Sequence, residues 1–176
     1  MLYFVVIYVA CVLAGFIYFI ISNKNKKEER KYYEASEKII SEDLLKYSLR
    51  NPYIRNNNSD LPSSSRVMLG IKISNGKVKK TMVFDPEKIV YIGRGDHNHI
   101  VIYNMYVSDS HCCIFLKDDR VWINDLSHKK GVLIKRDGQK RRLFNGNSTV
   151  LYNGDIIYID DVKMKIKIFL FDINHK

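Results

Sequence analysis

Hydrophobic positions fall into three regimes along the chain. From Leu2 to Ile21 they are nearly continuous, broken only by Gly15 and several tyrosines. About twenty helical residues rising ~1.5 Å each cover ~30 Å, the thickness of a bilayer's hydrocarbon core. The pattern therefore predicts a transmembrane helix over residues 2–22. Between residues 24 and 49 the apolar residues thin out among Lys, Arg and Glu. Tyr33, Ile40, Leu44 and Tyr47 recur at helical spacing, which predicts an amphipathic helix that Asn51-Pro52 should end. Asn56 to Ser65 is rich in Asn and Ser, carries Pro62 and reads as a flexible linker. Residues 23–65 thus form a charged juxtamembrane stalk and linker. The stalk reads first as a solvated helix, and second as one that lies on a membrane or oligomerises.

From Val67 onward apolar and polar residues alternate in short runs separated by turn pairs. The runs predict strands at 67–74, 79–84, 89–92, 99–102, 112–117, 121–125, 132–134, 141–143, 149–151, 155–159 and 163–171, with no helix among them. Asn75-Gly76 and Asp137-Gly138 are the strongest hairpin signals, since type I′ turns need positive φ. Asp118-Asp119 and Asp160-Asp161 mark two more turns. Eleven short strands within residues 66–173 make the domain all-β and argue for a sandwich. About 110 residues suffice for a self-supporting core.

Charge refines this picture. The chain of 176 residues carries a formal net charge of +10. Residues 1–22 have no charged side chain, whereas residues 66–176 hold twenty basic against twelve acidic residues. Such a domain favours anionic partners: phosphoproteins, nucleic acid or an anionic membrane surface. Lys24, Lys26 and Lys27 follow the apolar segment at once, and no basic side chain precedes it. The positive-inside rule then makes the protein single-pass in the cell membrane, with its N-terminus outside and its C-terminal domain cytoplasmic. A cleaved signal peptide would need a basic start and a shorter apolar stretch. Cys11, Cys112 and Cys113 offer no disulfide framework, since neighbours on a strand point to opposite faces.

Chemistry-bearing residues occur in a fixed order in the last domain. Gly93-Arg94 closes an apolar run, and Ser108-x-x-His111 follows a polar loop. Asp125-Leu126 ends another run, Gly131 comes next, and Leu151-x-x-Gly154-Asp155-x-Ile157 is last. In this order, between strand-like segments, they resemble the forkhead-associated (FHA) domain. That resemblance covers roughly residues 67–171 and is densest from Tyr91 to Ile159. It implies an eleven-stranded FHA-type β-sandwich that binds a phosphothreonine peptide at loops 93–99, 103–110 and 127–131, with no catalysis and no cofactor or metal.

Phosphate carries about −1.5 to −2 charge and three acceptor oxygens, so its recognition needs a guanidinium fork, hydroxyl or backbone donors and positive potential. By the resemblance, Arg94 supplies the fork and Ser108 a hydroxyl, with backbone donors such as that of Asp109 beside them. Gly93, His111, Asp125, Gly131, Gly154 and Asp155 shape and brace the scaffold. Where the family has Thr-Asn-Gly, this chain has Lys129-Lys130-Gly131. Lys130 lacks the acceptor of the usual asparagine, so the two ammonium groups would raise the potential instead of gripping the peptide backbone. Asp109 puts a negative charge beside the expected phosphate. The resemblance extends to single-span bacterial proteins with a cytoplasmic FHA domain. Their layout implies partners among Ser/Thr kinase substrates, often in cell-wall synthesis or division, with the bilayer contacted through residues 2–22. A degenerate, phospho-independent scaffold is the second reading. No aromatic-basic motif points to nucleic acid, and no P-loop or Ser/His/Asp order points to an enzyme.

Overall fold

The computed structural model describes residues 2–50, 65–76, 78–128 and 130–172. Pro52, the Asn/Ser linker before Ser65, and Lys129 lie outside the described residues.

One helix, α1 (Leu2–Arg50), runs through both N-terminal regimes without a break. Its first part is apolar all round and exposed, from Ile7 and Tyr8 to Ile20 and Ile21, and is long and apolar enough to cross a membrane. Among the described residues eleven strands follow: β1 (Ser65–Asn75), β2 (Val78–Phe84), β3 (Val90–Gly93), β4 (Ile100–Val101), β5 (Cys112–Lys117), β6 (Arg120–Asp125), β7 (Val132–Arg136), β8 (Gln139–Leu143), β9 (Ser148–Val150), β10 (Ile156–Ile159) and β11 (Val162–Asp172). They form a six-stranded sheet in the order β2-β1-β11-β10-β7-β8 and a five-stranded sheet in the order β4-β3-β5-β6-β9. The two sheets pack as a β-sandwich. Among the described residues only the short β3–β4 pairing is parallel.

Period-two alternation builds the core. In β11, Val162, Met164 and Ile166 are buried while Lys163 and Lys165 face solvent. Their inward neighbours include Leu69 and Ile71 of β1, Ile92 of β3, Ile114 of β5, Ile123 of β6 and Ile157 of β10. Val121 and Ile123 are buried with Trp122 turned outward, its indole N–H donating to the Lys117 carbonyl at 3.3 Å. Asp118 and Asp119, and Asp137 and Gly138, have the positive φ pairs of tight hairpin turns. At the first hairpin the register differs by one residue from the expected Asn75-Gly76 turn. Asn75 still pairs with Val78, so the connection begins at Gly76, with φ 52°. The ladder, whose inward residues are fixed by the core, outranks the local turn signal.

The second half of α1 differs from a solvated stalk. Tyr32, Ser36 and Ile40 are buried, and Ile40 packs with Met68 of β1 and Phe171 of β11, flanked by Ile39, Leu44, Val83 and Phe169. Tyr32 meets Phe169 edge-on at 5.9 Å between centroids, and its ring lies over Gly70, where any Cβ would collide with it. β1 is therefore buried on both faces at Met68–Ile71. Of the expected helical face, Ile40 and Leu44 take part and Tyr33 covers the aromatic edge. Full burial of such side chains contributes ~1.5–3 kcal/mol each. Ion pairs rim the contact: Lys72–Glu28 at 2.6 Å, Lys167–Glu29 at 3.1 Å, and Arg66 between Asp43 (3.2 Å) and Asp85 (2.7 Å). Partial burial alone would raise the Asp43 carboxyl. The ammonium of Lys88 and the guanidinium of Arg66 outweigh it and hold the group below its ordinary range.

Candidate functional site

Three loops meet at one end of the sandwich. The end of β3 is joined to the β4–β5 loop by backbone bonds: Arg94 N–H donates to the Ser108 carbonyl (2.9 Å), Gly95 N–H to that of Asp109 (3.0 Å), and His111 N–H to that of Ile92 (2.9 Å). This approach is so close that a Cβ at Gly93 would run into the Asp109 carbonyl, which explains glycine there. Asn98, buried between the loops, ties them further. Its amide donates to the carbonyls of Gly95 and Asp109, each at 2.6 Å.

Arg94 leaves this clasp half-exposed and forms an ion pair with Asp109, Nη2 to Oδ1 at 2.6 Å. Arg94, Gly95, Asp96, Tyr103, Asn104, Met105 and Asp109 line an open hollow of about 440 Å³. Ser108, whose carbonyl accepts the Arg94 N–H, immediately precedes Asp109. Its hydroxyl is buried with no hydrogen-bond partner among the described residues.

His111 is buried and central to the brace. The Ser108 N–H donates to His111 Nδ1 at 3.2 Å, which places the ring proton on Nε2, 3.4 Å from the Gly131 carbonyl. Asp125 is fully buried. It receives the Ser127 N–H on one oxygen (2.7 Å) and the Val132 N–H on the other (2.8 Å), fixing both ends of the β6–β7 loop. Gly131 in that loop has φ 70°, and a Cβ there would run into the Leu143 carbonyl. Asp155 closes the far turn. Arg136 grips it with Nε at 2.9 Å and Nη2 at 2.7 Å, and the Tyr152 N–H adds a bond at 2.9 Å. Gly154 N–H donates to the Ile166 carbonyl at 2.9 Å.

Arg94, Ser108 and Asp109 are thus brought together, and His111 stands behind them. Lys130 joins the same end of the fold, but its ammonium is engaged by Asp160 at 3.2 Å and lies over the Tyr106 ring at 4.9 Å. Asn104 donates to the other Asp160 oxygen at 2.7 Å. These two hydrogen bonds hold the Asp160 carboxyl below its ordinary range. So Lys130 spends much of its charge on a neighbour instead of enriching the hollow. Sequence reasoning missed three participants: Asn98, Arg136 and Asp160. Asn98 carried a usable signal, because a short polar side chain after Gly95-Asp96-His97 suits a side-chain-to-backbone turn. His97 and His99 are spread over different partners, His97 to Ser110 (2.9 Å) and His99 to the Tyr91 N–H (3.1 Å).

Residues 90–160 match the family model of the FHA domain. Among solved structures, the FHA domain of the Chlamydia trachomatis protein CT664 is 21% identical, with a TM-score of 0.49 over 57% of this chain and 96% of that one. The MEK1 FHA domain is 19% identical, with a TM-score of 0.48, 57% of this chain and 89% of its own covered. Mycobacterium tuberculosis EmbR in complex with a low-affinity phosphopeptide is 24% identical, with a TM-score of 0.46. The match covers 56% of this chain and 24% of EmbR. Among curated proteins none matches this chain.

Proposed function

We infer, from the premise that this chain carries an FHA domain, that it is a membrane-anchored adaptor that binds phosphothreonine peptides in Ser/Thr kinase signalling. FHA domains are phosphopeptide-binding modules, and catalysis is not part of this reading. The observation that carries it is Arg94: a half-exposed guanidinium at a strand end, with its backbone locked to the loop bearing the Ser108 hydroxyl. A phosphate in the hollow exchanges Asp109 for two of its own oxygens on the Arg94 fork, and the Ser108 hydroxyl, buried behind the hollow without a partner among the described residues, turns outward to donate to it. Asn98, His111 and Asp125 hold those donors in place. Residues 2–22 anchor the protein, with the sandwich in the cytoplasm. The layout fits partners in cell-wall synthesis or division.

A second reading has its own observations. Asp109 already occupies Arg94, and Lys130 is held by Asp160. Both favour a phospho-independent scaffold. Titrating the full chain in detergent with matched phosphothreonine, phosphoserine and unmodified peptides separates the two. The adaptor binds the phosphothreonine peptide selectively, whereas equal binding of all three leaves only the scaffold.

A further inference from the structure

The docked helix fixes which end of the sandwich faces the membrane. Along α1, Glu28 pairs with Lys72, Tyr32 covers Gly70 and Asp43 pairs with Arg66. The helix rises about 22 Å from Glu28 to Asp43, and β1 covers about 20 Å from Lys72 to Arg66. The two therefore run side by side in opposite chain directions. The β1–β2 turn lies toward the start of the helix, and Ser65 lies away from it. Glu28 stands about 9 Å beyond Ser22, the last residue of the span expected over residues 2–22. The strand continues about 10 Å past Lys72 to Asn75. These lengths cancel, so the β1–β2 turn comes level with Ser22.

The recognition loops occupy that same end. His99 to Asn104 share a hollow with Ile73, Asn75, Val78, Asp161 and Val162. Lys130 and Asn104 both bond to Asp160 in the β10–β11 turn. The loop end also presents apolar surface: Tyr103 is 84% and Met105 70% exposed, with Tyr106 beside them. Aromatic side chains of this kind sit well at a headgroup boundary. Lys24, Lys26 and Lys27 on the helix, with Lys79, Lys80 and Lys163 at the same end of the sheet, are attracted to an anionic inner leaflet.

We propose that the helix clamps the sandwich with its phosphothreonine pocket at the bilayer surface, so that its ligand is a phosphorylated juxtamembrane segment of another membrane protein. The proposal rests on the anchor and on the phosphothreonine reading of Arg94. A phosphate carried far into the cytoplasm on a stiff segment lies on the wrong side of the domain. One held within a few residues of a membrane span enters from the side the pocket faces.

The test uses the full chain, with Cys11→Ser, in phosphatidylcholine–phosphatidylglycerol vesicles. A fluorophore is placed at Tyr103→Cys or, at the opposite end of the sandwich, at Gln139→Cys, and headgroup-nitroxide lipid is the quencher. Quenching several-fold stronger at 103 supports the geometry, and equal or stronger quenching at 139 overturns it. In a second arm, two bilayer-inserted peptides carry the same phosphothreonine motif. In one it lies about five residues from the span. In the other it sits beyond a stiff helix of about thirty residues, ~45 Å away. The near peptide binds at least tenfold tighter, and Ile40→Asp, which releases the helix from the sheet, removes the preference. Equal binding of both peptides by the parent chain overturns the proposal. If neither binds while 103 remains quenched, the phosphothreonine premise is what has failed, and the proposal falls with it. If Arg94→Ala abolishes quenching at 103 without peptide, the loops are holding lipid phosphate and the proposal is likewise overturned.

Discussion

Replacing Asp109 by Asn should tighten phosphopeptide binding, an uncommon result for a residue inside a binding site. Its carboxylate holds Arg94 at 2.6 Å, where an incoming phosphate needs that guanidinium. The pair is solvent-exposed, with 46% of the Arg94 and 67% of the Asp109 side chain accessible, so breaking it costs only ~0.2–1 kcal/mol. The carboxylate also repels the bound phosphate. For charges of −1 and about −2 some 5–6 Å apart in a water-like medium this is ~1.5 kcal/mol, roughly halved by physiological salt. Together the terms give about 1–1.5 kcal/mol, a five- to tenfold tighter Kd. Asparagine keeps the side chain's shape and the backbone amide, so the loop geometry is retained. Isothermal titration of wild type and Asp109→Asn with one phosphothreonine peptide measures the gain, and repeating it at high salt should shrink it. Equal or weaker binding by the variant would refute the view that Asp109 competes with the ligand.

Other consequences are simpler. His111→Ala should lower stability by ~1–3 kcal/mol and reduce Tm, because the Ser108 N–H loses its acceptor in a buried site; an unchanged Tm would contradict the bracing role. Asp125→Ala should cost a similar amount, since two buried N–H groups lose their partner, and thermal unfolding checks it. Gly70→Val should force Tyr32 off the sheet and undock α1, seen as faster hydrogen exchange from Tyr32 to Leu44 with the sandwich core still protected. The helix contact should also depend on pH. Hydrogen bonding to Lys72 holds the Glu28 carboxyl below its ordinary range, despite some burial, and Asp43 is likewise depressed. Carboxyls depressed in the docked state contribute stability above their free values and lose it as pH falls through the docked ones. Docking should therefore be intact at neutral pH and weaken below about pH 4, again read by exchange.

Much of the fold was legible because inward positions in the strands follow a strict period of two. Val162, Met164 and Ile166 announce their face in the sequence, and Asp137-Gly138 announces its turn. Register at Asn75 was not legible, because the core chooses the pairing and the turn follows. The helix periodicity at Ile40 and Leu44 could be read, but its partner could not. β1 carries Met68 and Gly70 on the face that a solvated sandwich would leave polar, and that pair was the available hint. At the site, the order of Arg94, Ser108 and His111 pointed to segments that the fold does bring together. The Arg94–Asp109 and Lys130–Asp160 pairs escaped notice because each joins side chains from different segments, and sequence order alone does not fix which charges meet. Asp155 was readable as a turn residue, whereas its grip by Arg136, nineteen positions earlier, depends on how β7 lies against the β9–β10 loop.

The central claim is that the Arg94 fork reads a phosphate. The most direct measurement is the affinity of one phosphothreonine peptide for wild-type protein and for Arg94→Ala, with Tm recorded for both. Losing a charge-assisted fork costs on the order of 2–5 kcal/mol, so binding should weaken at least thirtyfold while Tm stays within a degree or two. Arg94→Ala protein that binds the phosphopeptide as tightly as wild type would contradict the account.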